Sequence, residues 1–146
     1  LIANSSKAIG VLSDVDQDSL KSLYFFGKQL GLAFQVVDDI LDFTGNDEQL
    51  GKPAASDLQS GYLTAPVFYA LEEYPNLSEL INGKFSKKDD LEKALSLVRD
   101  SSAIKKSRGL AENFASEAKD SISWLPNSPS KKALLELPEF VISRLC

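Results

Sequence analysis

Apolar residues return every three or four positions along almost the whole chain, and no convincing apolar–polar alternation marks a strand. The spacing predicts a first helix over 1–12, ending near Ser13-Asp14. Asp16 or Asp18 then caps a long second helix running to about Thr44. Along it Leu20, Leu23, Gly27, Leu30, Phe34, Val37 and Leu41 form one core-facing stripe. Phe34 and Phe43 are assigned to the core. Gly27 and Gly31, four residues apart, leave room for another helix to come close.

Gly45 to Gly61 is polar and carries Asn46, Asp47, Gly51, Pro53 and Ser56, so it reads as a loop long enough to be functional. Thr64 is placed as the cap of a helix with Pro66 in its first turn, where the missing N–H does no harm. That helix reaches Glu73 and is blocked by Pro75; Leu77 to Ile81 add one turn. Ser86 and Asp89 resemble a capping box opening a helix to about Arg99. Ser102 caps a longer helix to Leu125, with Ile104, Leu110, Phe114, Ala118, Ile122 and Leu125 inward. Ser128-Pro129 starts the last helix, which reaches Arg144 with an irregularity at Pro138. The expected fold class is all-α, a helical bundle or part of one, with no internal domain boundary.

Composition removes several chemistries. Histidine is absent, which excludes a Ser-His-Asp triad, a Cys-His pair and His-ligated zinc. The single cysteine, Cys146, has no internal disulfide partner and agrees with a reducing compartment. A net charge of −5 gives no basic face for nucleic acid. No apolar run reaches the roughly 18 residues of a transmembrane helix, and no signal peptide is visible. Methionine is also missing, even at position 1, and Leu1 to Ile9 opens in helical pattern without an N-cap. This reads as a fragment that starts partway along a helix.

The candidate chemistry lies near the end of the second helix. Asp38 and Asp42 are four apart and project from one side, with Asp39 about 100° around the axis. They sit among Phe34, Val36, Val37, Ile40, Leu41 and Phe43. Burying several like charges costs several kcal/mol per ion unless something compensates. Within a turn along the sequence there is no lysine or arginine to do so. A hard cation fits that deficit; a solvated acidic patch is the other reading, although the helix dipole disfavours carboxylates at a C-terminal end.

The run Gly31-Leu32-Ala33-Phe34-Gln35-Val36-Val37-Asp38-Asp39-Ile40-Leu41-Asp42-Phe43 leads to Gly51-Lys52, Ser56-Asp57-Leu58, Gly61 and Leu63-Thr64-Ala65-Pro66. It strongly resembles the second aspartate-rich region of the trans-isoprenyl diphosphate synthases, most of all the long-chain, solanesyl type of cyanobacteria and plastids. The match is dense over about residues 27 to 70 and looser to the end.

The resemblance implies an isoprenoid-synthase-type helical bundle, here its C-terminal part, from an enzyme that elongates an allylic prenyl diphosphate with isopentenyl diphosphate. It implies magnesium linked to Asp38, Asp39 and Asp42, with Asp38 the most direct. Gln35 is implied near the substrate and Lys52 at its diphosphate. The other reading of Gln35 is a polar side chain satisfied by a neighbouring helix and of Lys52 a solvated loop lysine; Asp57 organises the loop through its backbone. Lys87-Lys88 and Lys105-Lys106 read as solvated faces. Tyr62 stands where many relatives carry lysine, which puts that phosphate contact in doubt. A homodimer is implied for the full-length protein, in a bacterial cytoplasm or plastid stroma. The family's first aspartate-rich segment is not in the chain, so the fragment alone is expected to be inactive. The rival readings are a non-catalytic subunit of a heteromeric prenyl diphosphate synthase and a terpene cyclase, whose second motif is usually of a different kind.

Overall fold

A computed structural model of the chain describes residues 1–45, 55–87 and 89–145. Among these residues every regular element is an α-helix and no strand occurs. The expected all-α class is therefore correct. The backbone packs into two compact units, residues 1–37 with 110–146 and residues 38–109.

The first unit holds α1 (Ile2–Leu12) and most of α2 (Gln17–Thr44). Asp16 caps α2: one carboxylate oxygen accepts the Asp18 and Ser19 amides at 2.9 and 3.0 Å, the other the Ser19 hydroxyl at 2.7 Å. The Ser19 amide, first among these donors, holds the Asp16 carboxyl below its ordinary pKa. Close helix packing depends on two glycines. A Cβ on Gly27 would meet the Ile2 carbonyl oxygen at 2.7 Å and Ala3 Cα at 2.8 Å. One on Gly10 would meet Leu20 and Leu23 side chains below 3 Å. Gly31 is different, since the nearest atom to its Cβ is Ile2 Cδ1 at 3.8 Å. Of the two glycines expected to admit a neighbour, Gly27 does so.

Within this unit α2 buries Leu20, Phe26, Leu30, Ala33, Val36 and Val37. Phe34 corrects the core assignment: it is 40% exposed, and the Arg144 guanidinium lies 4.8 Å from its ring centroid. The unit also receives the C-terminal part of α7 (Ala103–Ser121) and all of α8 (Pro129–Ser143). On α7 the buried positions are Ala103, Ser107, Ala111, Ala115 and Ala118, with Ile122 just beyond, while Leu110 and Phe114 are only half-buried. The inner face is thus the small-residue stripe, where short side chains let helices approach closely. Ser128 caps α8 by accepting the Lys131 amide at 3.1 Å. Lys131 Nζ then donates to the Ser123 and Leu125 carbonyls at 2.7 and 2.6 Å, joining the start of α8 to the turn after α7. Pro138 lies inside α8 and is buried.

The second unit contains the end of α2, α3 (Ser56–Gln59), α4 (Ala65–Glu73), α5 (Leu77–Asn82), α6 (Asp90–Asp100) and the start of α7. Phe43, Leu58, Val67, Leu77, Ala94 and Val98 form its core, each at most 1% exposed. Three caps differ from expectation. Thr64 occupies the N-cap of α4 without a side-chain cap bond. Helix α6 starts at Asp90, after the expected Ser86 cap, and Asp90 turns back to accept the Lys87 amide at 3.0 Å. Ser102 donates both its amide, at 3.0 Å, and its hydroxyl to the Glu73 carboxylate. Lys106, read as a solvated lysine, pairs with Glu72 at 3.2 Å and Glu73 at 3.3 Å and lies over Tyr69. No described helix is long and apolar enough to cross a membrane.

Candidate metal site

Asp38, Asp39 and Asp42 occupy the last two turns of α2, all within the second unit. Their exposures differ. Asp38 is half-buried, Asp39 is 7% exposed and Asp42 is 1% exposed. Among the described residues no three acidic or cysteine side chains are grouped so that together they could hold a metal ion. Gln35 is exposed, three residues before Asp38 on α2. Lys52 lies outside the described residues.

Helix ends leave their last carbonyls without intrahelical partners, and here each is answered in a particular way. The Leu41 carbonyl accepts the Gly45 amide at 2.7 Å. The Asp42 carbonyl accepts the Ala55 amide at 2.9 Å, and the Phe43 carbonyl accepts Arg99 Nε at 2.9 Å. Thr44 Oγ1 donates back to the Ile40 carbonyl at 3.1 Å. The turn that carries the acidic residues is therefore held from two other segments of the same unit. Arg99 also answers the electrostatic problem posed by carboxylates at a helix C-terminus, by placing a cation at that end.

The Asp42 side chain is engaged by the protein. Its carboxylate accepts the Ser56 hydroxyl at 3.4 Å and the Asp57 amide at 3.3 Å. Ala55, whose amide bonds the Asp42 carbonyl, adopts left-handed φ 57° and ψ 27° and is fully buried. Asp57 in turn accepts the Tyr62 amide on its carbonyl at 2.9 Å, so its backbone does organise the segment leading to α4.

Sequence reading did not find Arg99, Ala55 or Ser56 as partners of this turn. Arg99 lies 56 residues beyond Phe43, and nothing local to either marks the contact. Ser56-Asp57 stands in the polar run and in the family motif, and neither marks its contact with Asp42.

The donor set suits a hard divalent cation that completes its shell elsewhere. Carboxylate oxygens are the right ligand type, and half-buried Asp38 keeps surface to offer. Such a cation is commonly held by one or two protein carboxylates together with substrate phosphates and water.

The sequence profile described as "Polyprenyl synthetase" matches residues 1–98. A prenyl transferase of Synechocystis is 54% identical over 145 residues, covering 99% of this chain and 45% of that protein. Solanesyl diphosphate synthase 2, chloroplastic, of Arabidopsis thaliana is 46% identical over 145 residues, covering 99% of the chain and 35% of that protein. Among solved structures, a polyprenyl synthase from Caulobacter crescentus complexed with calcium and isoprenyl diphosphate superposes with a TM-score of 0.87. It is 33% identical over 99% of this chain and 46% of its own. The chain spans less than half the length of these relatives. With the family profile matched over residues 1–98 and the all-α fold shared with a solved polyprenyl synthase, this chain belongs to the polyprenyl synthetase family.

Proposed function

We propose that the protein to which this chain contributes condenses isopentenyl diphosphate with an allylic diphosphate, building a long all-trans polyprenyl diphosphate that serves as a quinone side-chain precursor. The observation that carries this reading is the acidic turn of α2, with half-buried Asp38 beside buried Asp39 and Asp42, in a polyprenyl synthetase chain. A long product is supported by the likeness to a chloroplastic solanesyl diphosphate synthase. The same likeness, with that to a Synechocystis protein, supports a bacterial cytoplasm or a plastid stroma.

Magnesium is the proposed metal; it would be linked to Asp38, Asp39 and Asp42, to Asp38 most directly. When bound it would stabilise the negative charge that develops on the departing diphosphate. The protein groups do the rest. Asp38 would hold the ion, and Lys52 would add a point charge at the diphosphate. Gln35, exposed on α2 before Asp38, lies near the allylic end and offers a neutral amide there. A neutral group can face a developing carbocation without repelling it. We place the whole chain in one polyprenyl synthetase domain of a homodimer. The relatives reported above are a transferase and synthases, and nothing among the described residues favours a non-catalytic subunit.

The test exchanges this chain for the 145-residue stretch it matches in the Synechocystis relative. Labelled isopentenyl diphosphate is then offered with farnesyl or geranylgeranyl diphosphate. Magnesium-dependent polyprenyl product is expected, with Asp38→Asn lowering kcat by about 100-fold or more, the scale of losing a charge-stabilising contact. A well-folded hybrid that makes no product, or one indifferent to magnesium, would refute the reading. The chain on its own is expected to make none.

A further inference from the structure

The three carboxylates of the acidic turn are not equivalent, and Asp42 stands apart. It is 1% exposed, whereas Asp38 retains open surface. From this one residue three hydrogen bonds reach three consecutive residues: Ala55 through its main-chain carbonyl at 2.9 Å, Ser56 at 3.4 Å and Asp57 at 3.3 Å through its carboxylate. The two side-chain bonds are long, but each uses a different carboxylate oxygen, and together they define where α3 begins. Ala55 is held in left-handed backbone at this point, a conformation costing roughly 1–2 kcal/mol for a residue with a Cβ. Such a geometry persists where surrounding contacts fix it. A magnesium ion that keeps several waters needs a ligand with open surface, and the Asp42 side chain has almost none.

We infer that Asp42 is a positioning residue: it locks the end of α2 to Ala55-Ser56-Asp57 and so fixes the orientation of Asp38, without itself touching the metal. This rests on the assignment of the acidic turn as the metal site. The lock works through acceptance of hydrogen bonds by a buried carboxylate, and metal contact is left to Asp38.

The experiment compares Asp38→Asn, Asp42→Asn and Ser56→Ala in the hybrid enzyme described above. For each, kcat and the magnesium concentration giving half-maximal rate are measured at saturating substrates, and magnesium binding is measured separately by calorimetry on the enzyme with pyrophosphate. Asp42→Asn keeps one acceptor oxygen and is expected to lower kcat about tenfold, the scale for a group that orients a ligand. Its magnesium requirement should stay within about twofold of the parent, while Asp38→Asn raises that requirement tenfold or more. Ser56→Ala, which removes the hydroxyl bonded to one of the two carboxylate oxygens, should lose part of the same kcat at an unchanged magnesium requirement. A magnesium requirement raised by Asp42→Asn as much as by Asp38→Asn would overturn the assignment. Should Asp42→Asn fail to fold, Ser56→Ala decides alone: a lowered kcat at unchanged magnesium requirement supports the lock, and parental kinetics remove it. If Asp38→Asn leaves the magnesium requirement unchanged, the metal-site reading fails, whatever Asp42 does.

Discussion

Arg99 Nε donates to the Phe43 carbonyl at 2.9 Å, tying α6 to the end of α2 one residue after Asp42. The bond is charge-assisted and answers a carbonyl that the helix cannot satisfy. It also sets a permanent cation at the negative pole of a helix that ends in carboxylates. Replacing Arg99 with methionine keeps the aliphatic stem and removes both effects. Arg99 is exposed, so solvent screens part of the gain, and a loss of about 1–2 kcal/mol in urea denaturation is expected. Arg99→Lys, which keeps a charged donor, should recover part of it. Equal stability of Arg99→Met and the parent would show that the contact contributes nothing.

Gly27 and Gly31 lie four residues apart on α2 and should respond to alanine with opposite signs. A Cβ at Gly27 would stand 2.7 Å from the Ile2 carbonyl oxygen and 2.8 Å from Ala3 Cα. Both are backbone atoms, so α1 itself would have to shift. Gly27→Ala is expected to destabilise by about 1–3 kcal/mol, the range for overpacking. At Gly31 the nearest atom is 3.8 Å away, an ordinary contact. There alanine gains helix propensity, and Gly31→Ala should be neutral or more stable by up to about 1 kcal/mol. Paired thermal melts decide, and two destabilised variants would contradict the geometry.

Glu73 gives a pH signature. Its carboxylate accepts the Ser102 hydroxyl and amide, in that order of influence, and these hold its pKa below the ordinary 4.5. A carboxyl whose folded pKa is depressed adds stability above its unfolded pKa and loses it as pH falls through the folded value. The joint between α4 and α7 should therefore weaken on acidification from about pH 4.5 downward. Glu73→Gln should flatten that part of the stability–pH curve. An unchanged slope in the variant would place the acid sensitivity elsewhere.

The limits of sequence reading here follow from physical range. Helix existence was legible because each helix repeats its own apolar spacing, and the cap at Asp16 is a local event within three residues. The acidic turn was legible for the same reason, since Asp38 and Asp42 are placed by helix geometry alone. What escaped are contacts with no local signature. Glu73 takes the Ser102 donors from 29 residues away, and Arg99 reaches Phe43 across 56. Along α7 and the turn after it the expected inner face holds at Ala118 and Ile122 and fails at Leu110 and Phe114. Close packing selects its alanines and Ser107 instead, leaving Leu110 and Phe114 half-exposed.

Phe34 and Phe43 show the same limit on a single helix and can be separated by truncation. Both belong to the apolar run around the acidic turn, and both read as core from spacing. Phe43 is 1% exposed within the core of its unit, packed with Leu58, Val67 and Val98. Phe43→Ala should cost about 3–5 kcal/mol, the range for a buried aromatic that leaves a cavity. Phe34 is 40% exposed and contributes a face to the Arg144 guanidinium. Phe34→Ala should cost about 1 kcal/mol or less, the size of an exposed cation–π contact with a little lost burial. Urea denaturation of the two variants measures the difference directly. If Phe34→Ala proved as damaging as Phe43→Ala, the Phe34 ring would have to be buried in the folded protein, against the placement described here.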